Sequence, residues 1–275
     1  MKKSKIYSLL TVLLFVLFFQ GCDKVKLSQK IEVEPLSNAR VKFGYFSPYS
    51  ATTNRGVQIK VNDIRVSNLL TYSISFPGGG FNQGGQTYAD YISVNATAGT
   101  PVGLRISIPA LNTNSDSVTL FNGTVNITPG VKQTVMFTDT AANTQATVLN
   151  DETADPIGAN AKFKFFNGIP NGGNIDFYIV SSAGTFLAAS NVPYKGVSNY
   201  FETPVSGLGS ISFSMVRAGM PLANANLIGG GTSTGHPYSA TALLNGRVYN
   251  VNARGYNGTT LTDARRPQPS ITPIK

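Results

Sequence analysis

Two stretches of the sequence decide the fold: ARVKFGYFSP at residues 39–48 and AKFKFFNGIP at residues 161–170. Both begin with a small residue, a basic residue, an apolar residue, a lysine and a phenylalanine, in that order. Both continue with aromatic residues and end in a turn that contains proline. In each stretch, apolar side chains alternate with polar or small ones, which is the period of a half-buried β-strand. These are Val41, Phe43 and Tyr45 in the first stretch and Phe163 and Phe165 in the second. The chain therefore predicts the same opening strand twice.

The similarity continues beyond the opening strands. A second strand follows in each case, GVQIKVNDIRV at residues 56–66 and GNIDFYIVSSAG at residues 173–184, with turns at Asn62-Asp63 and at 182–184 that favour hairpins. Alternating strands recur at 121–140 and 244–258. Residues 145–156 resemble residues 258–269. These matches predict a duplicated unit of roughly 110 to 120 residues, which is an ordinary domain size.

The composition favours an all-β chain. Only 13% of residues are charged, glycine is abundant, and no long segment has the apolar stripe of a helix. About seven short strands per unit predict two tandem β-sandwich domains, with a barrel as the alternative. The expected organisation is a leader segment at 1–21, a tether at 22–37, a first domain at 38–155 and a second at 156–275.

The N-terminus predicts a lipid anchor. Three lysines precede an apolar run that is short for a membrane-spanning helix, and LLFVLFFQGCDK at residues 13–24 ends this run with Gly21 and Cys22, the only cysteine. The stretch resembles a bacterial lipoprotein signal, which implies cleavage before Cys22 and lipidation of its thiol. Acyl chains at Cys22 would hold the protein on a membrane. The alternative is an uncleaved signal anchor with an incidental cysteine.

We expect the outer membrane of a cell envelope, with the periplasmic or surface face left open. Asp23 resembles an inner-membrane retention signal of enterobacteria, but other Gram-negative groups do not follow that rule. Without residues 1–21 the chain carries 19 basic and 13 acidic residues, a net charge of +6. No lysine- or arginine-rich run accompanies this mild charge, so we do not expect a nucleic-acid partner.

The duplicated pattern resembles a family of envelope domains of unknown function that occur in tandem in bacterial lipoproteins. The resemblance rests on the two opening strands, on NVPYKGVSNYFETPVSG at residues 191–207, and on Leu-x-Asp junctions at 149–151 and 261–263. The first unit departs from it, because residues 69–94 replace the compact PY-x-G-V-S segment. The resemblance implies an immunoglobulin-like sandwich and supplies no catalytic residues.

The sequence predicts no catalytic, metal or cofactor site. The sole histidine, His236, lies in a loop-like STGHPY stretch, where a surface position is a simpler interpretation than membership of a Ser-His-Asp triad. A histidine-based zinc site needs several His or Cys ligands close together, and the chain has one of each. A pair of carboxylates could serve a glycosidase, but the acids are scattered. Asp151, Glu152 and Asp155 cluster in the expected linker, which we interpret as solvated, with a calcium site as the alternative.

Loops are the expected place for ligand binding. The glycine-rich stretches at 77–86 and 227–238 lack the Gly-Lys-Ser/Thr ending of a phosphate loop and are interpreted as connections between strands. Aromatic residues in or beside the first loop could stack on sugars, although half-buried strand positions are the simpler interpretation. These residues are Tyr72, Phe81, Tyr88 and Tyr91. Asp116-Ser117-Val118 and Asp139-Thr140-Ala141 resemble an O-glycosylation pattern of some Gram-negative envelopes.

The expected function is a non-catalytic, membrane-anchored envelope lipoprotein that displays its domains for binding or adhesion. The expected partners are the membrane, through the lipid, and a glycan or an envelope protein. Two alternatives stay open: a carboxylate-dependent hydrolase on the same anchor, and a structural surface or fibre subunit. A hydrolase predicts two acids converging in one cleft about 5 to 9.5 Å apart, whereas a fibre subunit predicts a detachable or missing edge strand.

Overall fold

The computed structural model describes residues 38–47, 56–67, 69–70, 91–139, 143–151, 153–181, 184–205, 211–229, 238–240, 243–259, 263 and 265–274. Regular structure in this part of the chain consists of sixteen β-strands and a short 3-10 turn at Asn224–Asn226. The prediction of an all-β fold is confirmed. The described residues all belong to one compact unit, Pro35–Lys275. None of them forms a helix long and apolar enough to span a bilayer.

The first half of the described chain forms a sandwich of two four-stranded sheets. Its strands are β1 (Ala39–Tyr45), β2 (Gln58–Val61), β3 (Ile64–Arg65), β4 (Ile92–Val94), β5 (Val102–Pro109), β6 (Asp116–Val125), β7 (Lys132–Thr138) and β8 (Gln145–Asn150). The strand orders are β4-β1-β7-β8 and β3-β2-β5-β6. β1 and β7 run parallel, and the other paired strands are antiparallel.

The second half repeats this arrangement strand for strand. It contains β9 (Ala161–Asn167), β10 (Ile175–Ser181), β11 (Gly184–Val192), β12 (Phe201–Thr203), β13 (Ile211–Arg217), β14 (Tyr238–Ala240), β15 (Val248–Arg254) and β16 (Gln268–Pro273). The orders are β12-β9-β15-β16 and β11-β10-β13-β14, and β9 runs parallel to β15. Adding eight to each strand number of the first half gives the second half.

The strand order refines the sequence-based description in two ways. Each half has eight strands instead of about seven, and β1 and β2 lie in different sheets, whereas the first two strands of an immunoglobulin constant domain share one. The predicted end of the repeat needs a correction. The counterpart of β8 is β16, at 268–273, so residues 145–150 do not correspond to residues 258–263. The domain limits at 38–155 and 156–275 stay a prediction.

Local sequence explains the first hairpin. Asn62 and Asp63, predicted to turn between β2 and β3, both have positive φ, at 47° and 66°. Two consecutive residues of positive φ define the type I′ turn, whose twist matches that of the flanking strands, and asparagine and aspartate tolerate this conformation better than other side chains. The side chain of Asn62 also accepts a hydrogen bond from the Gly103 amide at 3.0 Å, which attaches the turn to β5.

Each half has its own aromatic core. In the first half, Phe43 stacks on Phe137 with ring centroids 6.3 Å apart. In the second half, Phe165 lies 4.9 Å from Phe177, which joins the two sheets. The alternating positions predicted from the opening strands are among the buried residues of these two clusters. One member crosses between the halves, because Phe166 of β9 belongs to the cluster of the first half.

Candidate functional site

Most predicted site residues lie outside the described residues. Cys22, Glu152, Thr140, His236, Tyr72, Phe81 and Tyr88 are among them. The described candidates are Asp151, Asp155, Tyr91 and Ser117. Asp155 and Ser117 are exposed, whereas Asp151 and Tyr91 meet between the two halves of the chain. The described residues contain no group of three His, Cys, Asp or Glu side chains that could hold a metal ion.

Asp151 is a buried carboxylate that joins the halves. It follows β8 directly, is 5% exposed, and accepts hydrogen bonds on Oδ2 from Thr134 Oγ1 at 2.5 Å and from Tyr91 OH at 2.9 Å. Its Oδ1 accepts from Asn250 Nδ2 of the second half at 3.1 Å. Burial raises the pKa of Asp151, while these hydrogen bonds and the charge of Lys42 act in the opposite direction. The prediction of a solvated linker is therefore wrong for Asp151.

Two lysines at equivalent positions of the repeat each donate a hydrogen bond to a backbone carbonyl of the other half. Lys42 of β1 donates from Nζ to the carbonyl of Pro273 in β16 at 2.8 Å. Lys164 of β9 donates from Nζ to the carbonyl of Asn150 in β8 at 3.0 Å. Because the registers place Asn150 and Pro273 at corresponding points of their sheets, the two contacts are related by the repeat. Each half supplies one donor and one acceptor.

The same correspondence relates the two partners of Asp151 on β7 and β15. Thr134 lies opposite Lys42 in the β1–β7 ladder, and Asn250 lies opposite Lys164 in the β9–β15 ladder. The carboxylate thus sits between two equivalent positions of the repeat. Burial lowers the pKa of Lys164, and the charge of Asp151 opposes this effect. We call Lys42, Tyr91, Thr134, Asp151, Lys164 and Asn250 the seam.

Two tyrosines cover the seam lysines. Tyr91 precedes β4 and Tyr200 precedes β12, so they occupy equivalent positions in the two halves. The Nζ of Lys42 lies 4.4 Å from the centroid of the Tyr91 ring, and that of Lys164 lies 5.2 Å from the Tyr200 ring. Both distances suit cation–π attraction. Tyr91 therefore contributes to the seam, and its counterpart is the last tyrosine of the PYKGVSNY segment.

The PYKGVSNY segment itself reaches the first half. Tyr194 OH lies 3.0 Å from Thr138 Oγ1, and Lys195 Nζ donates to Gln145 Oε1 at 2.6 Å. Burial raises the pKa of the Tyr194 hydroxyl. A Cβ on Gly196 would lie 2.7 Å from the Pro193 ring, so the turn between them requires glycine. The segment is therefore both a tight turn and a contact between the halves.

A second charged cluster lies on β2, β5 and β6 of the first half. Asp116 is bound by Lys60 at 2.8 Å and Arg105 at 3.2 Å, and it also accepts from Gln58 and Ser107. Burial raises the pKa of Asp116, but these hydrogen bonds outweigh burial and hold it well below its ordinary value. The cluster sets two cations against one carboxylate on the surface of a sheet, and that carboxylate is fully engaged.

Three other acids that the hydrolase alternative could use are also engaged in local structure. Asp176 accepts from the backbone amides of Asn191 and Gly219, at 2.6 and 2.9 Å. Glu202 binds Lys162 at 2.9 Å, and its hydrogen bond from the Ile157 amide is the main cause of its lowered pKa. Asp263 binds Arg265 at 2.8 Å, and this hydrogen bond lowers the pKa of Asp263.

Two clefts offer space for a ligand. One, of about 570 Å³, lies in the first half beside the β5–β6 hairpin, where Leu69 and Leu111 are exposed. The other, of about 410 Å³, lies in the second half between residues 187–193 and residues 197–200. Among the described residues, neither cleft is lined by a carboxylate or a histidine. Amide, hydroxyl and apolar groups line both of them, and the first also contains Arg65.

Sequence reasoning found Tyr91 and Asp151 but assigned them other roles, and it missed Lys42, Lys164, Thr134 and Asn250. The available signal was the lysine shared by VKF and FKF in the two opening strands. Alternation assigns such a lysine to the polar face of a sheet, which is ordinarily solvated. Here that face is covered by the other half, so the lysine is a contact between the halves.

Comparisons with known proteins find similarities to solved structures and to a family model. A structure of family 41 carbohydrate-binding modules from streptococcal virulence factors, described for alpha-glucan recognition, is 14% identical, with a TM-score of 0.22. The similarity covers 69% of this chain and 84% of that one. The search of curated proteins finds no match. Residues 84–178, from just before β4 into β10, match the model of a family described as a domain of unknown function (DUF4397).

Proposed function

We propose that this protein is a non-catalytic envelope lipoprotein that holds two tandem β-sandwich domains, at 38–155 and 156–275, as one body for binding. The observation that carries the proposal is the seam. A buried carboxylate and two exchanged lysine contacts join the halves, so that both clefts are held in a fixed relation to each other. Such a body is suited to presenting binding surfaces at a distance from a membrane.

The clefts support binding more than hydrolysis. A glycosidase needs two carboxylates in one cleft, about 5 to 9.5 Å apart. The described residues that line the two clefts include no carboxylate, and the described acids near them are engaged in ion pairs or hydrogen bonds to the backbone. Clefts of a few hundred Å³ with a few polar groups among apolar ones are typical of binding sites.

The anchor and location belong to the same proposal. Lipidation of Cys22 after removal of residues 1–21 would place the protein on the outer membrane of the envelope, with residues 22–37 as a tether. The lipid makes the membrane its first partner, and a glycan or an envelope protein its second. The support is the Gly21-Cys22 pair behind a short apolar run.

Cell fractionation tests the anchor. Full-length protein and a Cys22→Ala variant are expressed in a Gram-negative host, with Ser28→Ala in the tether as a matched control. We expect the native and Ser28→Ala proteins in the outer-membrane fraction and Cys22→Ala in the soluble fraction. If Cys22→Ala stays in the membrane as firmly as the native protein, the lipoprotein assignment is wrong. Protease treatment of intact cells then identifies the face, since only a surface protein is cleaved.

A further inference from the structure

The cleft of about 570 Å³ in the first half contains a positive charge that no carboxylate of the described residues balances. This charge belongs to Arg65 of β3, which lines the cleft. The ion pairs among the described residues are made by other cations, which are Lys60, Arg105, Lys162 and Arg265. The described partners of Arg65 are neutral: the carbonyl of Ser67 and the side-chain amide of Asn114.

These two partners hold the Arg65 guanidinium in place. Nε donates to the Ser67 carbonyl at 2.7 Å, and Nη1 donates to Asn114 Oδ1 at 2.7 Å. Neither contact uses Nη2 or the second hydrogen of Nη1, so these donors face a ligand in the cleft. They form the end of the planar fork, which matches the two oxygens of a carboxylate. A fork that is already positioned reduces the entropy lost on binding.

The neighbouring strands leave one positive charge in excess beside the cleft. Lys60 lies directly opposite Arg65 on one side and Arg105 on the other, which makes a row of three cations across β3, β2 and β5. Like charges at opposite positions destabilise a sheet. Asp116 binds Lys60 and Arg105, and Asp63 binds Arg105, so two carboxylates meet three cations. The excess falls on Arg65, and one negative charge on a ligand would balance it.

Apolar side chains provide much of the remaining lining. Leu69 (48% exposed) and Leu111 (88% exposed) both line the cleft and present apolar surface to it. The β5–β6 connection that carries Leu111 is held by its own backbone, because the Ala110 amide donates to the Ser115 carbonyl at 2.9 Å. A preformed cleft of this size, with apolar walls and one fixed polar group, is typical of a site for a small molecule.

We propose that this cleft binds a small organic monocarboxylate, whose carboxylate pairs with Arg65 and whose apolar body covers Leu69 and Leu111. A phosphate dianion is a poorer match, because phosphate sites collect several cations or the amides of a helix N-terminus, and Arg65 is a single cation. The cleft of the second half has no charged residue in its described lining and does not select an anion. The proposal rests on the binding role proposed above and names its ligand class.

Saturation-transfer NMR of the full chain in detergent tests this inference with two probes, hexanoate and hexanamide. The probes share the same apolar chain and differ in charge. We expect the native protein to bind hexanoate at least about tenfold more tightly than hexanamide, because only the carboxylate forms charged hydrogen bonds with Arg65. Added salt should weaken the binding of hexanoate and leave that of hexanamide unchanged. Comparison of variants in the same detergent removes the uptake of probe by micelles.

Three variants assign the binding to this cleft. Arg65→Gln should weaken hexanoate at least about tenfold and leave hexanamide within about twofold. Arg217→Gln is the matched control, since Arg217 is an exposed arginine at the end of β13, and it should leave hexanoate within about twofold. Leu111→Ser changes a side chain that is 88% exposed, so folding is not at stake, and it should weaken both probes by about threefold.

Several results would overturn the inference. These are a native protein that binds neither probe, equal affinity for the two probes, and unchanged hexanoate binding in Arg65→Gln or in Leu111→Ser. Inorganic phosphate that displaces hexanoate as well as hexanoate itself does would also overturn it, in favour of a general anion site. Equal affinity for the two probes would refute the carboxylate while leaving a binding role for the cleft. The anchor test is separate, because it depends only on Cys22.

Discussion

Replacing Lys42 by methionine tests whether the seam holds the two halves together. Methionine keeps the length and apolar packing of the lysine stem but removes the ammonium. The change deletes the charged hydrogen bond to the Pro273 carbonyl at 2.8 Å and the contact with the Tyr91 ring at 4.4 Å. It also removes a positive charge that acts on buried Asp151.

The magnitude follows from these contacts. A hydrogen bond to a charged group contributes about 1.5–3 kcal/mol, and a desolvated cation–π contact about 0.5–2 kcal/mol. Methionine avoids the cost of burying an ammonium, which offsets part of the loss. We therefore expect Lys42→Met to lower the free energy of unfolding by about 2–3 kcal/mol.

Urea unfolding of the chain from residue 23, followed by circular dichroism, measures this loss. Lys164→Met is the matched control, because Lys164 makes the equivalent contact from a less buried position and should cost only about 1–2 kcal/mol. A double-mutant cycle of Lys42→Met with Asp151→Asn should show coupling of about 0.5–3 kcal/mol. If Lys42→Met costs less than about 0.5 kcal/mol, or costs less than Lys164→Met, the seam does not stabilise the protein as argued.

Three further predictions concern single residues. Burial raises the folded-state pKa of Asp151, so the stability that this residue contributes is present in acid and is lost as pH rises through that pKa. The unfolding free energy of the native protein relative to Asp151→Asn should therefore fall as pH rises above the ordinary carboxyl pKa of about 4, and a difference that does not change with pH contradicts this. The folded-state pKa of Asp116 is lowered, so the stability that this residue contributes is present above its unfolded-state pKa and is lost in acid. The free energy of unfolding should therefore fall less steeply with acidification in Asp116→Asn than in the native protein. Equal pH dependence in the two proteins would contradict the stabilising role of the Asp116 carboxylate. Gly196→Ala should lower the free energy of unfolding by about 1–3 kcal/mol, because the added Cβ clashes with Pro193. Thermal unfolding measures this loss, with Gly56→Ala as the control, since a Cβ at Gly56 meets only ordinary contacts. Equal melting temperatures of the two variants would mean that the turn relaxes to accommodate the Cβ.

Much of the fold could be read from local sequence. The alternation in residues 39–48 and 161–170 predicted β1 and β9, and the Asn62-Asp63 turn predicted the β2–β3 hairpin. These features depend on side chains near one another along the chain. The pairing of β1 with β7, and of β9 with β15, joins strands far apart in sequence, and alternation carries no information about such partners.

The seam shows why the site could not be predicted in the same way. Periodicity assigns Lys42 and Lys164 to the polar face of their strands, which is correct, but it cannot show that this face is covered by another sandwich. Asp151 looked like a linker acid because polar residues and a proline follow it. Its partners in the fold include Tyr91 and Asn250, sixty and ninety-nine positions away in the chain, which no local pattern connects to it.

The parallel pairing of β1 with β7 has a mechanical consequence for a protein held by its N-terminal end. β1 is the first described strand, and it lies inside its sheet, between β4 and β7. A pull applied at Asn38 acts along β1 and loads its ladder to β7 in shear, so that the six register pairs from Arg40 to Tyr45 share the force. A strand pulled at a right angle to its axis would instead lose its bonds one after another. The strand nearest the expected anchor is thus placed where it resists detachment best.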